Sequence, residues 1–180
     1  AQAGWKRGQT WGYEVILPPG FDYAQAESDR RPWSFWAARG VRLAQGGAPN
    51  DLEASEEAAI LLPQGARGPA FLALPNHYVI RRYNNSVAYA LAIGLTADGV
   101  AGKPGLVTAW PNEAPLSRDQ RIGAQRALTL LGYDTQGIDG VVGANTRAAL
   151  RRWQAATGRL ADGHLTAALA DELIALTRVR

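Results

Sequence analysis

A chain of 180 residues with 47% apolar and 19% charged positions can bury one large core or two small ones, which excludes wholesale disorder. The absence of Cys excludes disulfides and thiolate metal sites, and no apolar run reaches the length that crosses a bilayer. The net charge of +3 lies in the last third: from Ser117 onward nine Arg face six carboxylates, whereas the preceding segment carries ten charges of each sign. That imbalance suits a weakly anionic partner. Met is absent even from position 1, and the chain opens Ala1-Gln2-Ala3-Gly4-Trp5 without a leader pattern, so a processed or partial product is expected.

In chain order, the glycine- and aromatic-rich stretch from Gly4 to Gly12 reads as a loop. Tyr13-Glu14-Val15-Ile16-Leu17 is β-prone and Pro18-Pro19-Gly20 stops it, with Glu14 as a strand-face or loop-contact carboxylate. Ser28 or Asp29 is positioned to cap a short helix through Pro32, Trp33, Phe35 and Trp36, which ends at Gly40. Glu57–Leu62 and Pro69–Leu74 are short apolar runs separated by turn residues, which predicts an antiparallel hairpin. Asn76 is expected to cap a helical turn from His77 to Arg82, and His77, without a nucleophile or second ligand near it, is expected to be a surface or packing residue.

The stretch from Arg81 to Ile93 organises the first part of the chain. Ser86 predicts an N-cap, and Val87, Ala90, Leu91, Gly94 and Leu95 then recur at helical spacing. Tyr83 and Asn84 therefore stand at a helix N-terminus, where free backbone N–H groups point outward, and Tyr89 lies one turn further along. Two phenols and an amide suit a neutral, hydroxyl-rich ligand such as a sugar, because ring faces cover its C–H surface and the amide reads acetamido or hydroxyl groups. The helix is expected to end at Asp98-Gly99, and the Pro/Gly-rich residues after it to form a linker.

A second unit begins at Ser117, where Ser117-Arg118-Asp119-Gln120 has the pattern of a capping box. The apolar face Ile122, Ala124, Ala127, Leu128 and Leu131 follows, and Gly132 closes the helix. Asp139-Gly140 with Thr146 and Ala149-Leu150 is echoed by Asp162-Gly163 with Thr166 and Ala168-Leu169. Three short helices around one small core are predicted, with Trp153 in the core. The Arg residues alternate with Asp and form no continuous stripe, so a nucleic-acid module is disfavoured.

Two resemblances follow from these motifs. Gly4-Trp5, Trp11-Gly12-Tyr13-Glu14-Val15-Ile16-Leu17-Pro18, Gly20-Phe21-Asp22, Gly68-Pro69-Ala70-Phe71-Leu72 and Tyr83-Asn84-x-Ser86-x-x-Tyr89-Ala90-Leu91 resemble, in order and spacing, the membrane-bound lytic murein transglycosylase B family. Leu131-Gly132-Tyr133, Gly137-x-Asp139-Gly140-x-x-Gly143-x-x-Thr146 and Trp153-Gln154 resemble the peptidoglycan-binding domain attached to many cell-wall hydrolases.

The resemblance implies a mainly α chain with a small β hairpin (α+β, lysozyme-like) at residues 1–100, a linker at 101–116, and a three-helix peptidoglycan-binding domain at 117–180. It implies cleavage of the MurNAc–GlcNAc bond with formation of anhydro-MurNAc at glycan strands in the periplasm or at the outer membrane, with no cofactor and no metal site in these residues, the calcium-type acidic loop of some members being expected upstream. Tyr83, Asn84 and Tyr89 are the implied substrate contacts, and exposed positions near the second unit's loop, namely Tyr133, Asp139 and Arg147, its wall contacts. The family's acid is a Glu followed by Ser or Thr and an aromatic-Gly pair. Glu27-Ser28 is followed by Asp29-Arg30 instead, so the acid is expected upstream of Ala1, as is any membrane anchor, and these residues alone are expected to be inactive. The alternative is a non-catalytic peptidoglycan-binding protein of the envelope.

Overall fold

The computed structural model describes residues 4–27, 30–48 and 51–178. It divides into two compact units, Ala1–Trp110 and Pro111–Arg180, and the division falls inside the stretch 101–116.

In the first unit, strands β1 (Gly12–Ile16), β2 (Arg31–Pro32), β3 (Arg42–Leu43), β4 (Glu57–Leu61) and β5 (Ala70–Ala73) form an antiparallel sheet in the order β2-β4-β5-β1-β3. The expected hairpin is present, with Ile60 opposite Leu72 and Leu61 opposite Phe71. It is the centre of a wider sheet than the sequence predicts, because β1 pairs on the free side of β5, placing Tyr13 opposite Leu72. The alternation of side chains across a strand splits the apolar runs between two cores. Ala58, Ile60, Ala70 and Leu72 pack on one face with Val15 and Trp36, while Leu61, Phe71 and Ala73 pack on the other with Trp11 and Leu91. Both central strands are thus covered on both faces, which explains their continuous apolar reading.

Helix α1 (Trp33–Ala38) is shorter than the sequence suggests: Pro32 lies in β2, and the helix starts after it. Ser28 and Asp29, the expected caps, lie outside the described residues. Trp36 is fully buried, and its indole N–H donates to the Ala58 carbonyl at 2.9 Å. Helix α2 (Pro75–Arg81) corrects the expectation for Asn76. Leu74 is the N-cap and Pro75 supplies the first turn, which needs no N–H there. Asn76, fully buried, instead accepts from the Lys6 N–H at 2.8 Å and donates to the Lys6 and Gln9 carbonyls, fastening the N-terminal loop to the helix.

Helix α3 (Val87–Val100) begins as expected, with the Ser86 hydroxyl accepting from the Tyr89 N–H at 3.2 Å. It runs past Asp98-Gly99 to Val100, with Ala90, Leu91 and Gly94 buried. Asp98 accepts from the Trp11 indole at 2.8 Å and pairs with Lys103 at 2.7 Å, which ties the end of this helix to the sheet. Glu14 is a loop-contact carboxylate: it accepts from the Val107 and Thr108 N–H groups, each at 2.7 Å.

The second unit has helices α4 (Arg118–Leu130), α5 (Ala144–Ala156) and α6 (Ala167–Arg178) around Ala124, Leu128, Leu150, Trp153 and Leu173. The capping box is complete, with Ser117 and Gln120 each bonding the other's backbone N–H. Among the described residues no helix is long and apolar enough to cross a membrane.

Candidate functional site

The α2–α3 connection carries Tyr83, Asn84 and Tyr89. The Tyr83 ring is 86% exposed, yet it stacks on Tyr89 with centroids 6.0 Å apart and planes inclined by 29°. Because α3 starts at Val87, Tyr89 rises from its first turn and meets a residue three positions ahead of the cap. Asn84 is exposed, and its carbonyl accepts from the Ser86 N–H at 2.8 Å, which turns the chain into the helix. Arg81 Nη2 donates to Asn85 Oδ1 at 2.7 Å, bracing the turn from the end of α2. A solvent-facing aromatic pair beside a free-standing carboxamide at a helix mouth has the chemistry to hold a sugar face and its acetamido group.

The sequence reading missed a cavity of about 630 Å³ elsewhere in this unit. Trp11, Tyr13, Phe71, Leu95, Leu106 and Trp110 line it, and Tyr83, Asn84 and Tyr89 do not. Trp110 lies over Phe71 at 6.0 Å, although 99 positions separate it from Trp11. The pairing of β1 with β5 sets Trp11 beside Phe71, and Trp110 reaches Phe71 from 39 positions further along the chain, so no local signal could have revealed the cavity.

Asp51 and Glu56 are both held by hydrogen bonds. Burial acts to raise the Asp51 pKa, but hydrogen bonds from the Tyr13 hydroxyl and the Thr10 N–H outweigh it and hold the group below its ordinary range. At Glu56 burial is likewise outweighed by Lys6, 2.8 Å away, and by Gln9. Among the described residues no group of three or more His, Asp or Glu side chains is placed to hold a metal. His77 is fully buried between Trp11 and Tyr78, and burial, aided by the Arg81 charge, lowers its pKa to about 4. It is a packing residue rather than a surface one.

In the second unit Asp139 and Arg147 both serve the Asp139–Gly143 loop. Asp139 Oδ1 accepts from Gln125 Nε2 at 3.0 Å and from the Val141 N–H at 2.8 Å, and Arg147 Nη1 donates to the Val142 carbonyl at 3.0 Å. Tyr133 packs half-buried against the helical core, and its N–H donates to the Leu128 carbonyl.

Residues 1–98 match the family model described as Transglycosylase SLT domain, and residues 117–173 match a peptidoglycan binding domain. Two crystal structures of SltB3 from Pseudomonas aeruginosa, one in complex with NAG-anhNAM-pentapeptide and one with NAG-NAM-pentapeptide, are each 51% identical with a TM-score of 0.89. Each match covers 96% of this chain and 46% of SltB3, so the chain spans less than half the length of that relative. A comparison with curated proteins gives no match. The likeness carries the fold, a lysozyme-like transglycosylase domain followed by a peptidoglycan-binding helical region. With more than half of its residues inside the family model, the chain belongs to the transglycosylase SLT domain family.

Proposed function

We propose that the chain is part of a lytic transglycosylase of the membrane-bound lytic murein transglycosylase B type, acting on peptidoglycan in the cell envelope and held there by its second unit. The observation that carries this reading is the exposed Tyr83 ring stacked on Tyr89 beside Asn84, on a turn braced by Arg81. The bound fragments of SltB3, one with an anhydro sugar, support it.

In this reaction one carboxyl group first protonates the leaving oxygen and then, as carboxylate, accepts the proton of the muramic C6 hydroxyl as that oxygen closes onto C1. The substrate's acetamido group helps stabilise charge at C1, so a second carboxylate is not needed. Asn84 orients the acetamido group, and Tyr83 and Tyr89 support the ring. The acid must be protonated when substrate binds, which requires a raised pKa. Asp51 and Glu56 are shifted the other way, Glu14 accepts two backbone N–H groups, and Asp98 is shared by Trp11 and Lys103. The proposed acid is the family-type Glu followed by Ser or Thr and an aromatic-Gly pair, a pattern that Glu27-Ser28-Asp29-Arg30 does not match, contributed by chain outside these residues.

The test is Asn84→Ala in a longer protein that includes the acid. Release of anhydro-muropeptides should fall about 10- to 100-fold, in line with a lost buried hydrogen bond, while sedimentation with peptidoglycan stays unchanged. Equal loss of both would make Asn84 structural. Sedimentation without any release of anhydro-muropeptide from the wild-type protein would favour the non-catalytic binder.

A further inference from the structure

Arg30 and Arg81 reach the same ring from different elements. Arg30, just ahead of β2, places its guanidinium carbon 4.4 Å from the Tyr78 centroid, and Arg81, at the end of α2, places its own 5.9 Å away. Burial raises the Tyr78 pKa against the pull of both positive charges, so both are felt at the phenol. Arg81 also bonds Asn85, which joins this platform to the turn that carries Asn84. Among the described residues neither Arg30 nor Arg81 forms an ion pair with a carboxylate, in contrast to Lys6, Lys103 and Arg159.

Two guanidinium groups gathered on one aromatic ring, with no counterion among the described residues, favour an anion. The planar fork of a guanidinium matches a carboxylate in particular. We infer that Arg30 and Arg81 form a carboxylate-reading site beside the Tyr83–Asn84–Tyr89 mouth, and that it takes a free carboxylate of the stem peptide on a peptidoglycan fragment. The inference rests on the function proposed above and adds a preference for peptide-bearing strands over bare glycan. Arg81 then has two duties, as anion contact and as brace for the turn, whereas Arg30 has only the first. The Tyr78 ring holds both guanidinium groups by its π face without neutralising them.

The test is an NMR titration of the 180-residue chain, reading the Asn84 side-chain amide and the Arg Nε–H signals. The ligands are GlcNAc-MurNAc-pentapeptide, the same fragment with its peptide carboxylates amidated, and uncharged chitotetraose. The free acid should bind about fivefold more tightly than its amide, as expected for one partly exposed ion pair. In Arg30→Gln that advantage should shrink to within twofold, while chitotetraose binding stays as in the wild type. Equal affinity for acid and amide in the wild type would overturn the inference, as would an undiminished preference in Arg30→Gln. Failure of the underlying reading looks different: chitotetraose would leave the Asn84 amide unmoved.

Discussion

Gln125 holds Asp139 and its neighbour in one grip: Nε2 donates to Asp139 Oδ1 at 3.0 Å while Oε1 accepts from the Gly140 N–H at 2.7 Å. Gln154 does the same at the next loop, donating to Asp162 Oδ1 at 3.1 Å and accepting from the Gly163 N–H at 2.8 Å. In both loops that carboxylate oxygen also takes the N–H two residues on, from Val141 and from His164. Gly140 and Gly163 have φ of +77° and +72°, a backbone that a Cβ would strain. The repeated Asp-Gly of the sequence is thus a repeated mechanical part, with a buried glutamine on the preceding helix as its other half. The grip also fixes the charge of Asp139, since the bond from Gln125, followed by that from Val141, holds its pKa below the ordinary range.

Replacing either glutamine should unlatch its loop. Gln125→Leu leaves the buried Gly140 N–H without an acceptor and should cost about 2–3 kcal/mol, and Gln154→Leu should cost a similar amount at Gly163. Thermal unfolding should show the loss in the transition of the helical unit alone. A change below about 0.5 kcal/mol would mean that the loops hold themselves.

Gly94 is required by the Trp11 indole. A Cβ at Gly94 would lie 2.4 Å from that ring, which is itself fixed by the bond to Asp98 and by Phe71. Gly94→Ala should therefore destabilise by about 1–3 kcal/mol through overpacking and alter the near-UV circular dichroism of tryptophan. Gly99, on the same helix with open space where a Cβ would stand, is the control. Gly99→Ala should be neutral or stabilise by up to about 1 kcal/mol.

His77 makes the first unit acid-sensitive. Its pKa of about 4 in the folded chain lies below the ordinary 6.5, because burial first and the Arg81 charge second disfavour the cation. The unfolded chain therefore binds a proton at a higher pH than the folded one. The stability tied to the neutral ring is complete above pH 6.5 and drains away as pH falls toward 4. A shift of this size corresponds to about 3 kcal/mol. Urea midpoints measured between pH 7 and pH 4 should fall accordingly, and His77→Phe should flatten the slope. An unchanged slope in that variant would assign the effect to the carboxylates.

The parts of the fold that announce themselves are local. Ser86 and the Ser117–Gln120 box lie beside the helices they start, and the β4–β5 pairing joins strands with eight residues between them. The wider sheet is long-range: Tyr13 meets Leu72 and Val15 meets Leu43, and several partners are equally compatible with an apolar strand. Asn76 misled because a polar residue near a helix start reads as a cap, and only the fold shows the Lys6–Gln9 loop that occupies it. The Tyr83–Tyr89 stack was legible because six residues across a helix cap keep the two rings together. Arg30 was not, since it meets Tyr78 from 48 positions away.

The second unit has its own core and a complete capping box, so residues 111–180 should fold when expressed alone and sediment with insoluble peptidoglycan. Arg147 and Asp139 separate wall contact from loop shape. Asn at position 139 keeps an oxygen to accept from Gln125 and Val141, so Asp139→Asn should preserve the fold and change only the charge. Arg147→Gln removes the cation beside the Val142 carbonyl. If the loop meets the wall polymer through these charges, each variant should shift the bound fraction by about fivefold in apparent affinity, with the helical circular dichroism unchanged. Wild-type protein left wholly in the supernatant would remove the wall-binding assignment. Sedimentation indifferent to both variants would move the contact to another face of the three helices.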